Sequence, residues 1–459
     1  MNSEAASNAD TDSGSGPSRW AGRVEATLAD VPADSLEVHP IHGLHGLANF
    51  DVRPPGSKSI TNRALICAAL ADGPTTLAGV LFADDTVAML ECLGALGVGI
   101  EEGDGATSLL VRGGGGAVSA GDVSLDANLS GTTARFIAPV ASLLAQRVTL
   151  DGGKPLRRRP MGELFDAMRD LGVTIDTGSA EDRLPAQISG ALRGGPVTLS
   201  ADVSSQFLSA LLLSAPVTEI GLEVRIDSEV VSAPYVDMTL RVMESFGAEI
   251  ERTDDTITVA PSGYRSPGEY VVEPDASAAS YFLAAPAICG GRSRIIDLDL
   301  NSMQGDIRLV EILDAMGMYI VARDGFIEVR ETGDLHGVEI DMSDCSDVAQ
   351  TLAIVATQAD SPTRVTGIGF IRAKETDRIA AVVTELRRLG IDATEEPDGF
   401  VVRPGSGAPN PGVVSTYDDH RMAMSFALLG LRYPGITIAD PKCVAKTYPS
   451  FWHDLGQVR

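Results

Sequence analysis

Six short polar loops recur along this chain, at Ser57, Ser130, Ser204, Asp275, Asp347 and Asp419, each opening a run of small and apolar residues. Their spacings are 73, 74, 71, 72 and 72 residues. A second series interleaves with the first. The segments MLECLGALGVGIEE, LFDAMRDLGVTIDT, TLRVMESFGAEIER, LVEILDAMGMYIVA and VVTELRRLGIDATE each show an amphipathic helical pattern, then a glycine (Gly97, Gly172, Gly247, Gly317, Gly390), then an alternating strand. Glycine suits the left-handed residue that ends a helix, and alternation marks a strand with one buried face. So even a period predicts six copies of one βαβαββ unit, nearly filling Leu36 to Arg459. The expected class is mixed α/β, with two similar domains of three units each.

If the six loops face one cleft, six helix N-termini point into it, and their free N–H groups favour anions. Taken singly, each Ser or Asp is an ordinary N-cap. The loops also carry charge, however. They read PPGSKSITNR (54–63), LSGTTAR (129–135), RRRP (157–160), VSSQF (203–207), RAKETDR (372–378), YDDHRMAM (417–424) and DPKCVAKT (440–447). The first lacks the Gly-Lys pair of a nucleotide-binding P-loop. Lysine is scarce, at 5 against 31 arginines, yet Lys58, Lys374 and Lys446 all lie in these loops. Together they point to an anionic small molecule, although a lone charge run is usually a solvated helix face.

Composition narrows the rest. Lys plus Arg is 36 against 63 Asp plus Glu, a formal net charge of −27. A general nucleic-acid binder needs the opposite sign. No apolar run approaches a membrane span. The five cysteines, at 67, 92, 289, 345 and 443, are scattered without a C-x-x-C pair. That fits reduced thiols, a cytoplasmic location and no metal site. Residues 1–35, rich in Ser, Asp, Gly and Ala, are expected to form a disordered acidic tail whose removal leaves activity and thermal midpoint nearly unchanged.

The motifs PGSKSITNRAL, SSQF, NSMQGDIR, KETDR, YDDHRMAM and DPKCVAKT, in that order, resemble the 5-enolpyruvylshikimate-3-phosphate synthases, or 3-phosphoshikimate 1-carboxyvinyltransferases. The resemblance runs from about Leu36 to near the C-terminus. It implies an inside-out α/β barrel whose chain crosses between domains near Ser57 and Val272. One domain would be 36–57 plus 273–459 and the other 58–272. It further implies transfer of the enolpyruvyl group of phosphoenolpyruvate (PEP) to the 5-hydroxyl of shikimate 3-phosphate, with release of phosphate and no cofactor. Such an enzyme is expected to act as a monomer and to be inhibited by glyphosate.

Site residues follow from the same resemblance. Lys58, Ser59 and Arg63 match the loop touching both substrates, and Ser204, Ser205, Gln206, Ser232, Tyr235, Asp347 and Lys374 match the shikimate-phosphate pocket. Gly131, Arg159, Gln206, Arg378, Arg421 and Lys446 match the PEP pocket. Asp347 and Glu375 match the acid/base carboxylates, assisted by Lys58, with Asp419 and His420 in support. Three positions depart from the family pattern: Leu129 and Phe370 stand where relatives often have Asn, and Phe136 where Pro is common. Two rivals share the fold, a UDP-N-acetylglucosamine enolpyruvyl transferase and a non-catalytic binding paralogue. The first carries a reactive Cys in its PEP loop, absent from 129–135 here, and intact Lys58, Asp347, Glu375 and His420 oppose the second. A related nucleic-acid-end enzyme conflicts with the charge.

Overall fold

A computed structural model describes residues 18–41, 47–116, 120–178, 181–200, 204–228, 230–405 and 407–458. The expected tail at residues 1–17 lies outside the described residues. The repeat is visible in the backbone. Gly97, Gly172, Gly247, Gly317 and Gly390 all have positive φ, between 79° and 103°. Each stands two residues beyond its helix, as in Asp84–Ala95, Gly162–Asp170, Pro234–Ser245, Leu309–Ala315 and Arg378–Arg388. A Cβ at these φ values is strained, so the spacing of the glycines sets the helix ends.

The sheets share one plan. In one, Ala120–Asp126 runs parallel to Ala145–Asp151, which is antiparallel to Ala186–Ser189, which in turn pairs with Thr174–Asp176. The sheet built on Gly195–Leu199 and Leu222–Ile226 repeats this order. Among the described residues, three sheets draw all their strands from 71–271, and three draw theirs from 35–52 and 291–439. The helices opened by the polar loops form the inside. Every residue of Gly131–Leu144 is buried, and in Ala276–Cys289 only Ser277 is not. A helix that is apolar or small on all sides belongs in a core.

Five of the six loop residues cap helices. The side chains of Ser130, Ser204, Asp275 and Asp419 accept from backbone N–H groups of the first turn, and Ser57 holds the cap position without that bond. Asp347 differs. It lies inside the 3-10 turn Ser343–Val348, ahead of helix Ala349–Ala356, so its carboxylate is not spent on a cap.

The chain passes between the two groups of sheets twice, and the two crossings lie side by side. Ser57 N–H donates to the Glu273 carbonyl at 2.8 Å, and Asp275 N–H to the Pro55 carbonyl at 2.8 Å. Gly56 bridges Pro274, and a Cβ there would stand 1.7 Å from the Gly79 carbonyl oxygen.

The structure differs from expectation at residues 18–35. Arg19–Thr27 is a helix capped by Ser18, with Trp20 and Val24 buried, and Ser35–Val38 pairs antiparallel with Ile436–Ala439. Its apolar positions, Trp20, Val24 and Leu28, recur at intervals of four, a signal too short to stand out in a polar segment.

Asp275 ties the crossings together: Oδ1 caps its own helix at Ala278 N–H (2.8 Å) and Oδ2 accepts from Lys58 N–H (3.0 Å). Asp275→Ala is expected to lose about 1–3 kcal/mol in urea unfolding, because a cap and a buried donor go together. Asp275→Asn should lose clearly less, and equal losses would separate stability here from the hydrogen bonds.

Candidate active site

The two groups of sheets meet over a cleft into which both send charged side chains. From the first motif loop comes Lys58, from 129–135 Gly131 and Arg135, and from 157–160 Arg159. The opposite wall is built from Asp347, Lys374, Glu375, Arg378, His420 and Arg421. Lys446 reaches in from the turn Pro441–Lys446.

At one pole stands Asp347. It accepts from Lys374 Nζ at 2.7 Å, Arg378 Nη1 at 2.9 Å, Arg421 Nη2 at 2.7 Å and the Tyr235 hydroxyl at 3.1 Å. Burial opposes its charge more than any other single influence, yet Arg421, Lys374 and Arg378 together hold it well below the usual carboxylate range. Burial likewise draws Lys374 below the ordinary lysine range, against the pull of Asp347.

At the other pole stands Glu375, 2.8 Å from Arg378 Nη2, 3.3 Å from Arg159 and 3.7 Å from Lys446. Burial opposes its ionisation too, and Arg378, Arg159 and Lys446 outweigh it. Arg378 joins the poles and spends its Nε on Asp419 at 2.7 Å. His420 is buried with neither ring nitrogen hydrogen-bonded, and burial followed by the adjacent Arg421 keeps it far below its usual value, hence neutral.

The charge run 372–378 divides by direction. Arg372 and Asp377 pair with each other outside, whereas Lys374, Glu375 and Arg378 turn inward. The triple arginine divides similarly. Arg157 pairs with Asp151 at 2.6 Å, Arg158 is exposed, and only Arg159 enters the cleft. Gly131 leaves room for it, since a Cβ there would lie 2.7 Å from Arg159 Nη1.

Some expected residues serve differently. Arg63 lines the cleft but spends its donors inside: Nε on Thr239 Oγ1 (2.8 Å), Nη1 on the Ser59 carbonyl (2.9 Å) and Nη2 on the Tyr235 carbonyl (3.1 Å). Burial draws it down to about 10, and it lies 5.0 Å from the centre of the Phe136 ring. It therefore braces Ser59 and Tyr235. Gln206 is likewise held, accepting from Arg135 Nη1 at 2.6 Å and donating to Thr132 Oγ1 at 3.2 Å. Ser204, Ser205 and Ser232 line the cleft. At the departures, the Leu129 carbonyl accepts from Lys446 Nζ at 3.2 Å, and Lys374 Nζ sits 5.6 Å from the Phe370 ring centre.

Asp85 and Asp306 escaped sequence reasoning. Asp85 is buried, 3.0 Å from Lys446 and 3.4 Å from Lys58. Its only sequence signal is an Asp-Asp pair opening a helix, which reads as ordinary dipole complementation. Asp306 lies in NSMQGDIR, a motif that carried the resemblance without assigning this residue a role. It is buried against the Ser277 hydroxyl, whose oxygen also lies 3.4 Å from Arg421 Nη2.

The family model for EPSP synthase (3-phosphoshikimate 1-carboxyvinyltransferase) matches residues 47–455. The chain belongs to the EPSP synthase family. The 3-phosphoshikimate 1-carboxyvinyltransferase of Serratia proteamaculans is 42% identical over 428 residues, covering 93% of this chain and 99% of that one. The one from Trichormus variabilis is 42% identical over 420 residues, covering 91% and 98%. Among solved structures, the EPSP synthase from Acinetobacter baumannii superposes with a TM-score of 0.78 at 26% identity, covering 93% of this chain and 98% of that one. The two-domain inside-out α/β fold is therefore that of its family.

Burial first, and then Asp347, push the Asp306 carboxyl up to about 6. An unfolded Asp ionises near pH ~3.9. Between those values the folded chain holds more protons than the unfolded one, so this group's contribution makes stability fall as pH rises. Asp306→Asn is therefore expected to gain stability relative to wild type as pH is raised from about 4 to about 7. Urea midpoints across that range check this, and a pH-independent gap would exclude Asp306 as the source.

Proposed function

We propose that this chain transfers the enolpyruvyl group of PEP to the 5-hydroxyl of shikimate 3-phosphate and releases phosphate, in the pathway to chorismate and the aromatic amino acids. The observation that carries the reading is a buried set of cations in the cleft, each neutralised by Asp347, Glu375 or Asp85. Four anionic groups, a carboxylate and a phosphate on each of two small substrates, fit such a set by exchange of partners. Lys58, Ser59, Ser204, Ser205, Gln206, Ser232, Tyr235 and Lys374 surround the acceptor, with Arg63 bracing two of them. Gly131, Arg159, Arg378, Arg421 and Lys446, together with Lys58 and Gln206, receive PEP.

The exchange also prepares the proton chemistry. With the cleft empty of substrate, both carboxylates are ionised because cations surround them. Substrate phosphate and carboxylate groups on Arg159, Arg378 and Lys446 remove much of that stabilisation from Glu375, and its proton affinity rises. Glu375 takes up a proton from solvent as the substrates bind and delivers it to C3 of PEP, while the 5-oxygen bonds to C2 and its proton passes to Asp347. The tetrahedral adduct returns a proton from C3 to Glu375 as the C2–phosphate oxygen bond breaks, and the phosphate leaves carrying the proton that came from the 5-hydroxyl, with Lys58 meeting its remaining charge. Cross-cleft contacts such as Tyr235 with Asp347 and Arg159 with Glu375 belong to a closed site that keeps water out.

The UDP-N-acetylglucosamine reading is less favoured, because loop 129–135 has no Cys, and a non-catalytic paralogue would not need both carboxylates so poised. We place the domain boundaries at the paired crossings, 36–57 plus 273–459 and 58–272. We further propose a cytoplasmic monomer. Among the described residues no helix is long and apolar enough to cross a membrane.

Lys58→Met and Glu375→Gln should each lower kcat by at least about 10²-fold with the fold retained by circular dichroism. Near-normal turnover in both would refute these roles. Glyphosate should compete with PEP. A methyl at residue 131 crowds Arg159, so Gly131→Ala should lose glyphosate affinity by a larger factor than PEP affinity. Inhibition kinetics at varied PEP, on wild type and variant, decide this; equal losses would sink the slot assignment.

A further inference from the structure

The N-terminal segment grips both of the elements that present the Asp85–Lys446 contact. On one side, Trp20 stacks on Phe82 with ring centres 5.7 Å apart, and the Arg23 guanidinium lies 3.9 Å from the centre of the same ring. Arg19 Nη2 donates to the Ile100 carbonyl at 2.6 Å, Arg23 reaches Glu102 at 3.3 Å, and Ser18 donates to Glu91. Phe82 immediately precedes the cap of helix Asp84–Ala95, and Asp85 lies in its first turn. On the other side, Ser35–Val38 pairs residue by residue with Ile436–Ala439, and Asp440 N–H donates to the Asp34 carbonyl at 2.9 Å. That strand feeds the turn Pro441–Lys446, whose last residue meets Asp85 at 3.0 Å. Only residues 28–34 separate the two attachments.

One continuous segment thus joins both groups of sheets, as the Asp85–Lys446 ion pair does. Anchoring both ends raises the effective concentration of each partner at the other and lowers the ordering cost of closure. Neither Trp20 nor Arg23 touches the cleft, so any effect on the reaction must pass through Phe82 and Asp85.

We propose that residues 18–38 form a strap across the two domains, with Trp20 and Arg23 as positioning residues that keep Asp85 in register with Lys446 at the PEP end of the site. This rests on the functional reading above. The strap raises the fraction of enzyme competent to bind PEP, and apparent affinity scales with that fraction.

The test compares the full-length chain with Trp20→Ala, Trp20→Phe and a variant lacking residues 1–28. Trp20→Ala and the truncation should raise KM for PEP about tenfold while kcat changes less than about twofold, because binding competence falls and the chemistry does not. Trp20→Phe, which keeps the stacked ring, should restore most of the affinity. Hydrogen exchange gives a readout independent of turnover. The truncation should accelerate residues 79–88 and, across the cleft, residues 440–448 together. Acceleration confined to 79–88, an unchanged KM, or equal loss in Trp20→Phe would overturn the strap and leave a helix that merely covers Phe82. If wild type turns over no substrate pair, the functional reading fails, and the exchange pattern alone then decides the strap.

Discussion

The Arg378 guanidinium organises the site. With 2% of its side chain exposed, it donates to Asp347, Glu375 and Asp419 at 2.9, 2.8 and 2.7 Å. A buried charge of this kind is tolerated only when its donors are matched, and removing a partner leaves an uncompensated ion. Three separate segments of chain must therefore converge on one planar fork. Asp419 supplies the anchor, since it also caps the helix carrying His420 and Arg421. Helix Arg378–Arg388 begins at the fork itself, with Asp377 as its cap, so the cation is fixed by secondary structure at its base.

From that fork, charge alternates outward. Asp347 gathers Lys374, Arg421 and Tyr235, and Glu375 gathers Arg159 and Lys446. Lys446 then meets Asp85, and Asp85 meets Lys58. Lys374, Arg378, Arg421, Arg159, Lys446 and Lys58 each hold a carboxylate. Under the proposed function, anionic substrate groups take over these cations, so the site stays neutralised at both stages and the carboxylates gain proton affinity when the substrates arrive. A net charge of −27 is no obstacle to binding anions when the local field in a closed cleft is built this way.

Much of this was legible in the linear sequence. The period near 72 residues and the five glycines located the repeat because helix caps and left-handed glycines are local: they depend on residues three or four positions away. The motif loops that met in the cleft were likewise recognisable as residue types. Other features depended on neighbours remote in sequence. Ser57, Ser130, Ser204, Asp275, Asp347 and Asp419 look alike in the repeat, yet only Asp347 sits inside a 3-10 turn with its carboxylate released into the cleft.

Sequence by itself determined the six-copy unit, the ends of the five helices that stop before Gly97, Gly172, Gly247, Gly317 and Gly390, and the set of charged residues available for chemistry, since short-range hydrogen bonding and backbone sterics are written in adjacent residues. Tertiary structure alone decided which charges face inward. Arg159 enters while Arg157 and Arg158 do not, Arg63 braces Ser59 and Tyr235 from behind, and Asp85 joins Lys446 across 361 positions of sequence. It also decided that residues 18–35 are bound to the body, because the burial of Trp20 requires Phe82 on another element. The cause is the same in each case. The free energy of a buried charge or ring depends on what packs against it, and that is set by the meeting of distant segments.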